Sequence, residues 1–398
     1  MIPSEQLWTG ELNRRALEED ENGLEGAAPD RVGLYDTTLR DGEQTVGVAL
    51  DPEQKLEIAR AIDSLGIERI EAGFPRVSKD DTEAFRAIAA GGLDAEIWGF
   101  ARAVPADVDA LLEIGVRAAV IESPVSDGKL SAYGISREEL VRRVVTAVSH
   151  AAENGVTVCF FGVDGSRADL AFLERVYKEA VGAGATEAAI VDTLGAVNPE
   201  AAALLVASAR TWVGEAIPVH WHGHNDFGLA TAAAVAAVRA GARWVQGTIN
   251  GMGERAGNAN LGEVALALEA LYGIPTNLRF ERLRAVAELV RRTSGYELEP
   301  WKPLTGETLF TRESGAVASQ FHDPPAIEPY SSQLVGAERR IVLGKKSGLD
   351  SIRIKLAELG LERPEEDWPA LLAEVKALGA RKHDLVTDEE FRELVDGR

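Results

Sequence analysis

The chain has 398 residues, 45% of them hydrophobic and 27% charged, the composition of a soluble globular protein. Asp and Glu number 64 against 42 Lys and Arg, and the resulting formal charge of −22 disfavours nucleic acid and anionic membrane surfaces as partners. One cysteine, Cys159, excludes a disulfide framework and a cysteine-based zinc site, and with no leader-like or membrane-length apolar stretch the expected location is cytoplasmic.

Residues 1–30 read as a separate acidic arm. Glu18-Glu19-Asp20-Glu21-Asn22-Gly23 carries too little apolar surface to join a core. From residue 32 a regular alternation begins, with strands expected over 32–35, 67–72, 95–100, 118–121, 156–161, 188–191, 219–224 and 244–248. Helical periodicity covers 52–65, with Pro52 at the start and Gly66 just past the end. It recurs over 80–90, a span ending near 115, and then 136–153, where Ser136 and Glu139 form a capping box. The remaining helices are 170–181, 199–213, 229–240 and 261–272. Eight strand–helix units predict an α/β fold, a closed (β/α)8 TIM barrel over 31–275. A doubly wound sheet is the alternative, weakened because no Gly-x-Gly-x-x-Gly follows the first strand. After residue 275 the rhythm stops. A helix at 282–293 and a Pro- and Gly-rich stretch form a linker or lid over 276–348, and helices at 350–360, 365–378 and 388–395 make a smaller, mainly helical C-terminal appendage over 349–398.

In such a barrel, functional groups gather at the C-terminal ends of the strands. The first strand runs into Asp36-Thr37-Thr38-Leu39-Arg40-Asp41-Gly42-Glu43-Gln44, where Asp41 offers a hard oxygen and Arg40 can hold an oxyanion or carboxylate. Alone, that segment reads equally as a solvated turn. The sixth strand ends in Asp192-Thr193-Leu194-Gly195. On the seventh, Val219-His220-Trp221-His222-Gly223-His224-Asn225-Asp226 holds three of the six histidines. Alternate side chains of a strand share a face, so His222 and His224 aim at one spot, while His220 lies deeper. An isolated His-x-His would as readily be an exposed polar tip. The eighth strand delivers Asn250-Gly251-Met252-Gly253-Glu254-Arg255-Ala256-Gly257-Asn258, whose glycines let backbone approach a ligand. First, seventh and eighth strands adjoin in a closed barrel, so Asp41, His222, His224 and Asn258 can meet at one mouth. Such a set suits Mg²⁺, Mn²⁺ or Zn²⁺ with open positions for a bidentate 2-oxo acid. Cys159 in its apolar run reads as a core thiol, and His150 and His383 as surface residues.

These three motifs resemble the signatures of the DRE-TIM metallolyases, and most nearly the isopropylmalate, homocitrate and citramalate synthase group. Leu343-Gly344-Lys345-Lys346-Ser347-Gly348 resembles that group's segment after the barrel, so the likeness spans about 31–350, and in length the chain is nearest homocitrate synthase. The resemblance implies a homodimeric acyltransferase that joins acetyl-CoA to a 2-oxo acid and hydrolyses the thioester. Asp41, His222 and His224 would bind the divalent metal, with Asn258 as a further ligand. Arg40 would stabilise the enolate or alkoxide, Thr193 would meet the oxo acid's carboxylate, Asn250 and Arg312 are further substrate-binding candidates, and Gln44 and Glu254 further catalytic ones. On a linker, Arg312 reads equally as a surface charge.

The match breaks at the base. Where the group places a Glu after the fifth strand this chain has Val163, where it places a His after the barrel it has Val317, and its Tyr falls at or beside Ile327. His322, Tyr330 or Asp164 are the possible substitutes. That loss keeps two other readings open: a CoA-independent aldolase, lyase or carboxyltransferase working through a metal-bound enolate, and a catalytically silent relative that binds the metal and oxo acid.

Overall fold

A computed structural model of the chain describes residues 1–18 and 28–397, so all but Glu18 of the acidic run at 18–23 lies outside the described residues. The chain divides into two compact units, one made of Met1 and residues 10–297, the other of residues 2–9 and 298–398.

The first unit begins with a short helix, α1 (Leu12–Glu18), followed by β1 (Gly33–Asp36) and α2 (Pro52–Ser64). Then come β2 (Arg69–Glu71), α3 (Lys79–Ala89), β3 (Glu96–Arg102), α4 (Pro105–Ile114) and β4 (Ala118–Pro124). After β4 the chain inserts α5 (Asp127–Tyr133) before α6 (Arg137–Glu153). It continues through β5 (Thr157–Val163), α7 (Leu170–Gly182), β6 (Glu187–Asp192), α8 (Pro199–Val213), β7 (Val219–Gly223), α9 (Ala230–Arg239), β8 (Trp244–Gly247), α10 (Leu261–Tyr272) and α11 (Phe280–Ser294). The eight strands are parallel and close in sequence order, with β1 pairing both β2 and β8, the (β/α)8 barrel that the alternation predicts. α5 is the one barrel helix the periodicity did not separate. At seven residues it is too short to show a stripe, and Ser126 caps it by accepting from the Lys129 backbone N–H. Asp51 caps α2 with a reciprocal box through Gln54, and Ser136 caps α6 through Glu139 N–H.

Strand side chains alternate, and one set meets inside the barrel. Tyr35, Trp98, Ala118, Val120, Cys159, Phe161, Ala189 and Val191 form that inner core. Its floor is polar. The Arg69 guanidinium is stacked between the rings of Trp98 (4.5 Å) and Trp244 (3.7 Å) and donates to both oxygens of Glu187 at 2.7 and 3.0 Å. His220 Nε2 lies 2.6 Å from Glu187, and its Nδ1 lies 3.2 Å from Gln246 Nε2. Amide donation to Nδ1 assigns the ring proton to Nε2. Burial holds His220 below its ordinary pKa, whereas His220 and Arg69 outweigh burial to bring Glu187 down to about 2. Glu187→Ala would take both bidentate bonds from Arg69, leaving it only the part-exposed Glu96 at 3.0 Å, and would leave His220 Nε2 without its acceptor. It is expected to cost about 3–5 kcal/mol, read as a fall in melting temperature on the order of 10 °C.

The second unit holds a two-stranded parallel sheet, β9 (Thr311–Arg312) with β10 (Arg340–Ile341), and the single turn α12 (Gly315–Ala318). The helices α13 (Leu349–Leu359), α14 (Trp368–Lys382) and α15 (Asp388–Asp396) enclose a core of Leu343, Ile352, Leu356, Leu371, Val375, Val386, Phe391 and Val395. Residues 2–9 join it through an antiparallel bridge between Leu7 and Tyr330. No helix among the described residues is long and apolar enough to cross a membrane.

Candidate active site

The barrel mouth is assembled from the loops that leave the C-terminal strand ends, and hydrogen bonds fix those loops to each other. Thr38 Oγ1 accepts from Ile249 N–H at 2.9 Å, and Thr45 Oγ1 accepts from Gly253 N–H at 2.9 Å, tying the first loop to the eighth. Asp36 anchors Thr38 by accepting from its N–H and hydroxyl, and burial pushes its carboxyl up to about 7. Arg255 donates to both oxygens of Asp226 (2.8 and 3.0 Å) and to the Thr193 carbonyl (2.6 Å), clasping the loops after β6, β7 and β8. Two glycines permit this closeness. A Cβ on Gly257 (φ +81°) would stand 1.9 Å from the Gly251 carbonyl oxygen, and one on Gly195 (φ +55°) 2.6 Å from that of His224.

Asp41 Oδ2 lies 3.2 Å from His222 Nε2 and 3.5 Å from His224 Nε2, and all three side chains are buried. One ligand atom from each falls within 4.8 Å of the others. Burial lowers His222 to about 4, so its imidazole is neutral and has a lone pair to give. Burial opposes ionisation of Asp41, but Arg40 and the two imidazoles overcome it and hold the carboxyl well below its usual range. Asn258, bridged to His224 through the backbone, donates its amide to the Met252 carbonyl at 3.0 Å and leaves Oδ1 buried without a partner. One carboxylate, two imidazoles and an unspent amide oxygen fit a divalent cation. A second cluster, Cys159, Glu187 and His220, has similar spacing, but Arg69 already supplies its positive charge.

Arg40 stands beside this triad. Its Nε donates to Glu71 at 2.8 Å, Nη1 lies 3.4 Å from Asp41 Oδ2, and the guanidinium covers the Phe100 ring at 4.3 Å. Burial works against its charge, yet Glu71 and Asp41 raise its pKa further above the ordinary arginine value. Nη2 is buried and has no partner, which leaves a fixed cationic donor aimed at no protein acceptor. Thr193 Oγ1 accepts from Asp164 N–H at 2.8 Å, so its own proton is free to donate.

The other expected residues are placed differently. Asp164 sits in a left-handed turn (φ 64°), where both carboxylate oxygens take Arg167 and one also takes Ser126 at 2.5 Å. Burial would raise its pKa, but Arg167 and Ser126 lower it, which makes it a poor proton acceptor. Asn250, also at positive φ (62°), spends its amide N–H on the Ala287 carbonyl at 2.9 Å and keeps Oδ1 unpartnered. Glu254 is exposed and lies 3.3 Å from Arg255, and Gln44 is an exposed turn residue. Arg312, His322 and Tyr330 belong to the second unit. There Arg312 donates to the Leu309 carbonyl at 2.6 Å and lies 3.7 Å from Glu328, His322 is exposed, and Tyr330 meets the Phe310 ring edge-on at 5.9 Å. Sequence reasoning missed Glu71 and Glu122. Both stand two residues beyond inward-facing positions, Arg69 on β2 and Val120 on β4, so strand alternation was the signal that could have found them.

The model of the family described as HMGL-like matches residues 31–290, and that of the family described as homocitrate synthase post-HMGL domain-like matches residues 304–383. Homocitrate synthase AksA of Methanopyrus kandleri is 44% identical over 92% of this chain and 92% of its own length. The probable 2-isopropylmalate synthase of Ignicoccus hospitalis is 42% identical over 96% and 94%, and the putative (R)-citramalate synthase CimA of Archaeoglobus fulgidus 42% over 92% and 75%. Among solved structures, the HMG-CoA lyase of Bacillus subtilis shares the fold with a TM-score of 0.59 at 20% identity, over 68% of this chain and 96% of that one.

Proposed function

The chain belongs to the HMGL-like family, in the DRE-TIM synthase group, and from that premise we propose that it is a metal-dependent acyltransferase condensing acetyl-CoA with a 2-oxo acid. The observation that carries this reading is the buried Asp41–His222–His224 triad with the unspent Nη2 of Arg40 beside it. Asp41, His222, His224 and Asn258 would hold the cation. Bound there, the ion would act as a Lewis acid toward the ketone of the oxo acid. Thr193 donates a hydrogen bond from its hydroxyl to the acid's carboxylate. As the acetyl methyl loses a C–H proton to solvent and its carbon joins C2, Arg40 meets the C2 oxygen on which negative charge grows, and that oxygen takes a proton from solvent to end as a hydroxyl. Water then cleaves the thioester, releasing CoA as a thiol and leaving a second carboxylate on the product.

A second reading, CoA-independent aldolase, lyase or carboxyltransferase chemistry at the same site, is favoured by one observation. Val163 cannot accept a proton, and neighbouring Asp164 is locked by Arg167 and Ser126. The deciding experiment is thiol release from acetyl-CoA with a panel of 2-oxo acids in Mg²⁺, Mn²⁺ or Zn²⁺. Release that needs both an oxo acid and a metal, and stops on adding a chelator, is expected. Metal-dependent solvent exchange at C3 of the oxo acid without thiol release would move the assignment to the second reading.

A further inference from the structure

One wall of the mouth runs from the loop after β2 through β3 and β4 to β5, and its lining is unusual for a site that handles acids. Phe74, Phe100 and Phe161 stand edge to face in a row, with centroids 6.2 and 6.1 Å apart, and Phe161 touches the His222 ring at 5.1 Å. Phe74 and Phe100 are partly exposed, so this wall faces the mouth rather than sealing the core. Beside it stands one carboxyl. Glu122 follows Ala118 and Val120 on the inward face of β4, and its register partner on β5 is Phe161. Among the described residues, no side chain or backbone group hydrogen-bonds to its carboxyl.

Two of the three cations acting on it, Arg40 and Arg102, are held by other carboxylates while their guanidinia stack on the wall, Arg40 over Phe100 and Phe161 and Arg102 over Phe74. Arg102, the register partner of Glu122 on β3, donates to both oxygens of Asp107, and Arg40 is held by Glu71 and Asp41. Burial keeps the Glu122 carboxyl above its ordinary pKa against the pull of Arg40, Arg102 and Lys129. A carboxyl with no hydrogen-bond partner of its own is a poor neighbour for a second carboxylate, which meets like-charge repulsion wherever Glu122 is ionised.

We infer that this chain selects 2-oxo acids whose side chain is apolar, with the phenylalanine wall receiving that side chain and Glu122 rejecting acids that carry a second carboxylate. The inference rests on the proposed oxo-acid site. Thr193 draws the C1 carboxylate to the β6 side, so the remainder of the molecule extends across the mouth toward the β2 loop, β3 and β4. Each part of the device has one function: the rings supply contact area, and the carboxyl supplies discrimination.

The test is calorimetric titration of the Mn²⁺-loaded protein with 3-methyl-2-oxobutanoate, phenylpyruvate, oxaloacetate and 2-oxoglutarate, run in parallel with thiol release. An apolar acid is expected to bind at least about tenfold tighter than either diacid, and in Glu122→Gln that ratio is expected to shrink about tenfold. Glu122→Arg is expected to invert it, and unchanged circular dichroism checks that both variants fold. Equal or tighter binding of 2-oxoglutarate by the unsubstituted protein, for instance on Lys129, overturns the inference. So does a preference for apolar acids that neither variant alters. Tight binding of an apolar acid without thiol release would leave this pocket assignment standing and remove the acyltransferase reading instead.

Discussion

Asp41→Asn is expected to weaken divalent-cation binding on the order of a thousandfold and to abolish metal-dependent turnover with it. Asp41 supplies the only formal negative charge of the ligand set, and it is the atom on which both imidazoles converge. The asparagine keeps the shape and loses the charge, so the barrel should stay folded while the site empties. Metal content after dialysis and a calorimetric titration measure the loss directly. Retention of the cation at unsubstituted affinity would remove Asp41 from the ligand set. Acid should release the metal from the unsubstituted protein by a neighbouring route. With His222 lowered to about 4, protons compete with the cation for that imidazole only at pH values well below those that charge a free histidine. The His222 share of binding is therefore expected to hold down to about pH 5 and to fall below it.

Arg40→Gln is expected to lower kcat by about 10²–10³ with little change in KM for the oxo acid, the pattern of an interaction made mainly in the transition state. The substitution also leaves the fully buried Glu71 without its cation, and burial already raises the pKa of that carboxyl. A fall in stability is therefore expected alongside the fall in rate, and the two must be separated. The double substitution Arg40→Gln with Glu71→Gln removes the stranded charge and should restore most of the melting temperature. Turnover should stay low. If the double variant recovered turnover as well, Arg40 would be a structural partner of Glu71 rather than a donor to the reacting oxygen.

The barrel was legible because its signal repeats: apolar runs of strand length alternate with helical stripes, and most helix starts in the barrel carry a Pro or a capping residue that single-sequence reasoning can read, α9 after Leu229 being an exception. The metal cluster was legible for a different reason. His222 on β7 and His224 just past its end are two residues apart, and Asp41 stands on a loop that barrel closure brings alongside, so spacing and topology together place them. What lay beyond reach was the fate of each polar group. Asp164 looked available as a base because nothing in the chain announces that Arg167, three residues on, folds back onto it with both nitrogens. Glu122 and Glu71 passed unremarked because a glutamate at a strand end is ordinarily solvated, and only the inner or outer sense of the strand distinguishes a mouth residue from a surface one.

Cys159 has no part in any of this chemistry, and that gives it an experimental use. The only thiol of the chain is sealed inside the barrel between β4 and β6, with its pKa raised well above the ordinary thiol value by burial. A thiol-reactive dye added to the native protein should find nothing to label, so colour developing in a turnover assay reports released CoA against a silent background. The same dye, left for hours without substrate, becomes a clock. It can react only when the staves of the barrel part, and the slow rise of label would time that opening.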